Sequence, residues 1–357
     1  MPWPTLKFTK NQVNKAGNIL LSGTKDSQQL LWAVDVLDNW RSCHGYPINT
    51  FQATLRQKLK AIDHKAIVAQ RLKRFFSIYQ KLRRFKSMQL ARMQDIGGIR
   101  AVVSTLDNVR ALEENYRNTR FNHELVAERD YITNPKSSGY RSVHLVYRYK
   151  NPLEPQYDGL FIELQIRSRL QHAWATAVET MGTFLDHALK SSEGPQMWLN
   201  FFSLTGSAFA HIEKTPPVPG YEDLTKEETF KAVIESAQLL DVRPKLVAYS
   251  VAAERVYADR KSGSYHLVIL NPKEKTVNIR SYSQSNLDEA SKEYSQAEQR
   301  IANGEGIQAV LVSAGSIKNL RRAYPNYFLD TREFIHGLGR IEKLLKKSAD
   351  NGLTPEQ

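Results

Sequence analysis

The sequence predicts an α+β protein: a mixed β-sheet flanked by helices, followed by a smaller αβ unit. Two observations carry that expectation. Short segments near residues 99–103, 122–128, 143–149 and 160–167 read as strands. In the last of them Leu160, Ile162, Leu164 and Ile166 alternate with Phe161, Glu163, Gln165 and Arg167, a period of two with one apolar face. Around these segments the spacing becomes helical, as in Ser27 to Trp40, where Leu30, Leu31, Val34 and Leu37 share a stripe, and in 170–190 and 196–213.

Taken in order, residues 1 to 25 read as a lead-in with little periodicity, and Phe51 to Lys86 as mostly helical and basic. Lys214-Thr215-Pro216-Pro217-Val218-Pro219-Gly220 is the clearest linker signal. The expected division is 1–215, a linker at 216–224, and a second unit at 225–357. In that unit Thr225 and Glu228 make a capping-box pattern for a helix to Leu240. Ser264 to Leu270 and Thr276 to Tyr282 read as a hairpin, Leu287 to Ala302 as a polar helix and Ile307 to Val312 as a third strand. Ser316 to Lys347 reads as largely helical, interrupted at Ala323 to Phe328, with a frayed end from Ser348.

Composition bounds the function. The 357 residues suit two domains, and 41% hydrophobic content supports packed cores. The net charge of +13 points to polyanionic partners, nucleotide or RNA. The single cysteine, Cys43, excludes an internal disulfide and fits a reducing cytoplasm, and no Cys/His cluster suggests zinc. The start, Met1-Pro2-Trp3-Pro4, lacks an apolar signal core, and no run approaches transmembrane length, so no membrane partner is expected.

Four segments carry the chemistry. Between Arg56 and Arg92 lie 12 Lys or Arg and one acid, Asp63. Within this stretch stands Arg71-x-Lys73-x-x-x-Ser77-x-x-x-Lys81, and on a helix Lys73, Ser77 and Lys81 would line one face. Two ammonium groups and a hydroxyl suit a polyphosphate; a solvated basic helix face is the plainer reading. In Asp95-Ile96-Gly97-Gly98-Ile99-Arg100 a carboxylate stands at a strand entrance, either as a Mg²⁺ ligand or as a turn residue. Pro135-Lys136-Ser137-Ser138-Gly139-Tyr140-Arg141 is a loop in which Lys136 and Arg141 can hold phosphate and an exposed Tyr140 can stack on a base. Ser142 and His144 then share a strand face, where His144 fits a site or a structural hydrogen bond. Glu163, Gln165 and Arg167 form either a solvent face or the floor of a site. No Gly-x-x-x-x-Gly-Lys-Ser/Thr pattern is present, which argues against a P-loop enzyme.

In this order the four segments resemble the synthetase domain of the RelA/SpoT family. The resemblance runs from about residue 20 to 220 and includes Asn39-Trp40-Arg41-Ser42-Cys43-His44 with Pro47, and Trp198 to Glu213. It implies a nucleotidyltransferase-like fold and transfer of the β,γ-pyrophosphate of ATP to a ribose 3′-hydroxyl with Mg²⁺. Arg71, Lys73, Ser77, Lys81 and Arg100 match the ATP-binding positions, and Asp95 and Glu163 the metal-binding, catalytic carboxylates. Tyr140 matches the residue that stacks on the acceptor base; Lys136, His144, Gln165 and Arg167 match acceptor-side and phosphate-side positions, and His172 a position at a helix start.

The second unit shows no catalytic constellation. It resembles the zinc-finger-like antitoxin domain, without metal ligands, of CapRel-type fused toxin–antitoxin proteins. Tyr324-x-x-Tyr327 resembles the motif by which such a tail blocks the nucleotide pocket. The resemblance implies an autoinhibited pyrophosphokinase whose acceptor is the 3′ end of tRNA and whose activator is a phage structural protein. The same catalytic residues would serve an alarmone synthetase with GTP or GDP as acceptor.

Overall fold

A computed structural model describes residues 3–118, 121–185, 189, 192–252, 255–258, 263–271, 273–274, 276–313, 320, 322–328 and 330–351. The chain begins with three helices, α1 (Lys10–Ser22), α2 (Ser27–Cys43) and α3 (Gly45–Ile62). Helix α1 falls in the stretch expected to be a lead-in. Its start is fixed by a capping box in which the Thr9 hydroxyl accepts from the Gln12 amide and the Gln12 side chain accepts from the Thr9 amide. Asp26 caps α2 through the amides of Gln28 and Gln29 at 2.9 and 3.1 Å.

The largest departure from expectation follows α3. The stretch from Phe51 to Lys86 is not one helix but α3, strand β1 (Ile67–Leu72) and helix α4 (Phe75–Arg84). Asp63 ends α3 in an extended conformation, and its carboxylate accepts the amides of Lys65 and Ser104. That draws the chain alongside β2 (Gly97–Val103), on which β1 pairs antiparallel. Arg71 therefore lies on a strand, Lys73 in the turn, and only Ser77 and Lys81 on α4. The single-helix stripe is corrected: cross-strand pairing outweighs the helical period of a basic segment.

Helix α5 (Leu106–Asn118), β3 (Glu124–Asp130), β4 (Val143–Arg148), β5 (Phe161–Ser168), α6 (Arg169–Leu185) and α7 (Gln196–Glu213) follow. The five strands form a mixed sheet in the order β1-β2-β5-β4-β3, with β2 and β5 parallel and the other pairs antiparallel. Register sets two faces. Ile99, Leu164 and Leu145 align on one, packed with Val36, Leu37, Phe51, Leu55, Val109 and Leu112 of the helices in the largest core. Ala69, Arg100, Gln165 and His144 align on the other, one step along from Arg71, Gly98 and Glu163.

The second unit comprises α8 (Lys226–Leu239), α9 (Val242–Ala252), β6 (Arg255–Ala258), β7 (Tyr265–Asn271), β8 (Thr276–Tyr282), α10 (Leu287–Ala302), β9 (Gln308–Ser313), a 3₁₀ turn at Pro325–Phe328 and α11 (Arg332–Asn351). The hairpin and the Thr225/Glu228 capping box form as expected. The sheet has a further strand, β6, parallel to β8, in the order β6-β8-β7-β9. Residues 316–319 and 352–357, covered by the C-terminal expectations, lie outside the described residues.

Residues 214–220 are tied down: Arg141 donates to the Thr215 hydroxyl at 3.1 Å and the Pro216 carbonyl at 2.7 Å, and Ser207 accepts the Val218 amide. Phe230 and Val233 of α8 and Phe334, Leu338 and Ile341 of α11 share a core with α6 and α7. A third core joins Ala69 of β1 to Val268, Ile279, Val310, Tyr324, Tyr327 and Phe328. The small sheet thus packs against the polar-bearing face of the large one, at its β1 edge. No described helix is long and apolar enough to cross a membrane.

The loop at Pro135–Arg141 depends on Gly139, whose φ of +91° lies in the left-handed region, where an added Cβ would sit 2.9 Å from the Phe202 carbonyl oxygen. Gly139→Ala is expected to cost about 1–3 kcal/mol, measured by urea unfolding; an unchanged midpoint would remove the close approach as a constraint on the loop.

Candidate active site

Two charge clusters meet on the polar-bearing face of the large sheet. The first joins the β1–α4 turn to the turn before β2. The Lys73 amide donates to the Ile96 carbonyl at 2.8 Å, which places the two turns side by side. Lys73 Nζ then lies 2.8 Å from Asp95 Oδ2, and Lys81 Nζ, from α4, 2.9 Å from Asp95 Oδ1. Burial alone would raise the Asp95 pKa, but the two ammonium groups outweigh it and hold the carboxyl below its ordinary range. Burial lowers the pKa of Lys73, with Asp95 opposing. Glu163, opposite Gly98 in the parallel β2–β5 pair, is close enough to push Asp95 upward, and Lys81 is close enough to lower Glu163. The two carboxylates thus lie near enough to interact electrostatically.

The second cluster is a closed ring of hydrogen bonds across β4 and β5. His144 Nδ1 is 2.8 Å from Glu163 Oε1, and His144 Nε2 is 2.7 Å from the Tyr140 hydroxyl. Arg167 donates to that hydroxyl at 2.6 Å and to Gln165 Oε1 at 3.1 Å, and Gln165 Nε2 donates to Glu163 Oε2 at 2.8 Å. Burial disfavours charge on both His144 and Glu163. Tyr140 and then Glu163 outweigh it at His144 and raise its pKa, while His144 and the Gln165 amide hold Glu163 well below the carboxylate range.

The exposed Tyr140 expected from the loop is corrected: Tyr140 is 6% exposed, with its hydroxyl in the ring. Its aromatic faces are approached by the Arg167 guanidinium, 5.0 Å from the centroid, and by Lys136 Nζ at 5.4 Å. Lys136 itself is exposed and lies 4.5 Å over the Tyr131 ring. His172 is buried at the start of α6.

Arg100 sits on the next row of β2, where burial and the adjacent Arg167 and Arg71 push its pKa down to about 10. Among the described residues its Nε has no hydrogen-bond partner. This concentration of positive charge next to Asp95 and Glu163 is what an anionic ligand would relieve. No group of three or more His, Cys, Asp or Glu gathers as metal ligands among the described residues. Magnesium does not require one, because it is commonly held by one or two carboxylates plus substrate phosphates and water. Asp95 and Glu163 fit that donor set.

Tyr324 reaches this site from the second unit. Its hydroxyl accepts the Gln70 amide at 2.7 Å and donates to the Gln70 carbonyl, so it caps the open edge of β1, and it feels the charges of Arg100 and Arg71. The Tyr327 ring lies 5.8 Å from the Arg74 guanidinium. Sequence reasoning gave no role to Arg41, Arg74 or Glu298, which meet at the start of α4. The contacts that bring them to the start of α4 span 32 to 257 residues of sequence, so no local pattern marks them.

Residues 70–182 match the family model described as the region found in RelA/SpoT proteins. The chain carries a RelA/SpoT region. That RelA/SpoT region starts at Gln70 and ends within α6, so it contains the candidate residues from Arg71 to Arg167; Tyr324 and Tyr327 lie beyond it. The chain is similar to the GTP pyrophosphokinase YjbM of Bacillus subtilis (strain 168), 36% identical over 135 residues, covering 34% of this chain and 63% of that one. It is also similar to the GTP pyrophosphokinase of Escherichia coli (strain K12), 32% identical over 125 residues, covering 35% of this chain and 16% of that one. The small alarmone synthetase 1 of Bacillus subtilis bound to pppGpp superposes with a TM-score of 0.39 and 30% identity, covering 47% of this chain and 90% of that chain. The chain spans less than two thirds of the length of these curated relatives.

The His144–Glu163 pair of the RelA/SpoT region fixes a pH window. Glu163, with its pKa depressed in the fold, contributes stability above its ordinary value of 4.5 and loses it as pH falls. His144, with its pKa raised, contributes fully below 6.5 and loses it as pH rises through the folded value. In chelator-treated protein the stability gap between wild type and His144→Gln is expected to be wider at pH 5.5 than at pH 9. Urea unfolding at the two pH values measures it; a gap independent of pH would mean that the histidine is neutral.

Proposed function

We propose that this protein transfers the β,γ-pyrophosphate of ATP to the 3′-hydroxyl of tRNA and is held inactive by its own C-terminal unit. The observation that carries the reading is the pair of lysines on Asp95 with Glu163 facing them. Without substrate, the cations and the carboxylate neutralise one another. A triphosphate would take Lys73 and Lys81 from Asp95, together with Ser77, Arg71 and Arg100. Asp95 and Glu163 would then hold Mg²⁺ against the same phosphates. The bound ion supplies charge neutralisation for the transferring group.

The protein's own part is positioning and electrostatics. Phosphoryl-type transfer needs little covalent help, so an in-line hydroxyl and a preorganised cation set carry most of the acceleration. Glu163, ion-paired to His144 and strongly acidic, is a weak base. Its role in this reading is to orient the attacking hydroxyl and hold the metal: the new O–P bond forms as the bond from the β-phosphorus to the α,β-bridging oxygen breaks, AMP leaves, and the hydroxyl proton passes to solvent. Gln165, Arg167, His144 and Tyr140 set the acceptor side, and Lys136 stands at its entrance.

The net charge of +13 favours an acceptor with a phosphate backbone, because tRNA needs contacts beyond the catalytic gap. Modification of its 3′ end would stop translation. The capped β1 edge supports autoinhibition: Tyr324 stands beside Arg71 and Arg100, where a nucleobase joined to the bound triphosphate would lie. A tethered segment acts at an effective concentration on the order of millimolar. A partner that binds the released C-terminal unit, such as a phage structural protein in antiphage defence, would shift the population toward activity.

A second reading, with GTP or GDP as acceptor, is favoured by the names of the relatives, which are GTP pyrophosphokinases. ATP labelled on the γ-phosphate, offered with bulk tRNA, GTP or GDP, separates the two: label on tRNA supports the first and label only on guanine nucleotide the second. Asp95→Asn and Glu163→Gln are each expected to lower transfer by about 100-fold or more; retained transfer would remove the metal assignment. Tyr324→Ala is expected to deepen growth inhibition in cells expressing the protein, and unchanged growth would count against tail-mediated blocking.

A further inference from the structure

Arg41 of α2 is 4% exposed and converges on the start of α4. Its Nε donates to the Lys73 carbonyl at 3.1 Å, which steadies the turn that carries that lysine. One terminal nitrogen donates to Asp38 at 3.1 Å and to Glu298 Oε2 at 2.9 Å; the other is buried with no hydrogen-bond partner among the described residues. The first amide of α4, that of Phe75, donates to Glu298 Oε1 at 2.7 Å. Glu298 comes from α10 with its side chain 9% exposed, and the Tyr294 hydroxyl donates to its Oε1 at 3.0 Å. The Tyr294 ring lies 5.5 Å from the Arg41 guanidinium.

A carboxylate so placed is more than a helix cap. A local cap would be a Ser, Thr, Asp or Asn at the position that Arg74 occupies, and α4 has no side-chain cap of its own. Arg74 adds positive charge to the positive end of the helix, with Arg71, Lys73 and Arg41 nearby. The pocket therefore demands an anion, and Glu298 reaches it from over two hundred residues away. It leaves one nitrogen of Arg41 unused. A phosphate group has three acceptor oxygens and can use that nitrogen as well as the Phe75 amide.

We propose that Arg41 and the first amide of α4 form a phosphate subsite at the end of the Lys73–Ser77–Lys81 cradle, occupied by the Glu298 carboxylate while the C-terminal unit is docked. The inference rests on the donor-site reading above and adds a second, electrostatic arm to the tail contact. Tyr324 covers the base side; Glu298 occupies a place for phosphate. Loading the subsite then expels α10, so triphosphate binding and tail docking oppose one another.

The two arms separate with two probes on the full chain: inorganic tripolyphosphate, which has no base, and adenosine, which has no phosphate. Isothermal titration is run on wild type, Glu298→Gln, Glu298→Ala and Tyr324→Ala, each with thermal unfolding to confirm the fold. Glu298→Gln and Glu298→Ala are expected to bind tripolyphosphate about tenfold more tightly, with adenosine affinity unchanged within about twofold. Tyr324→Ala is expected to favour adenosine instead. If neither Glu298 variant gains tripolyphosphate affinity while Tyr324→Ala gains adenosine, the subsite is overturned and tail blocking stands. A gain for Glu298→Ala without one for Glu298→Gln marks the contact as steric and also overturns it. If no variant changes either probe, both readings fall.

Discussion

The antiparallel pairing of β1 with β2 is the constraint on which the rest of the site depends. It sets Arg71 opposite Gly98 and brings the turn after β1 against the turn before β2. Only then can Lys73 and Lys81, eight residues apart, meet on the two oxygens of Asp95. Partly buried charges of one sign are costly; a lysine pair straddling a carboxylate keeps this one charged and available for exchange. In the proposed reading, a metal–triphosphate complex would separate these same mutually neutralising groups.

The ring through Arg167, Tyr140, His144, Glu163 and Gln165 serves a different end. Each member is buried or partly buried, and each bond within the ring answers a polar atom that would otherwise be costly. The network fixes the orientation of Glu163 and Tyr140 relative to the sheet. Its stability derives from mutual satisfaction, so its members act as a unit rather than as independent contributors.

The C-terminal unit closes on the edge of the same sheet. β1 is an edge strand, and its outward amide and carbonyl at Gln70 need partners. Tyr324 supplies both through one hydroxyl, while Ala69 joins the apolar core of the small sheet and Glu298 takes the positive start of α4. Apolar burial, edge capping and charge pairing thus converge on the segment from Ala69 to Phe75.

Much of this was legible in the sequence. The period-two strand at Phe161–Ser168, the glycine-led strand after Asp95, the Thr225/Glu228 capping box and the hairpin at 265–282 follow from local pattern, because alternation and turn chemistry act over a few residues. The candidate site residues stood out as types and spacings for the same reason. What the sequence could not decide is where pairing overrides period: Arg71 to Lys81 carries a helical stripe, yet its first residue lies on a strand because Asp63 stops α3 and β2 offers an edge. Nor could it place Tyr140 in a buried ring or Glu298 at the start of α4. Those outcomes depend on partners tens to hundreds of residues away, and only the closed tertiary structure determines which buried charge finds which opposite.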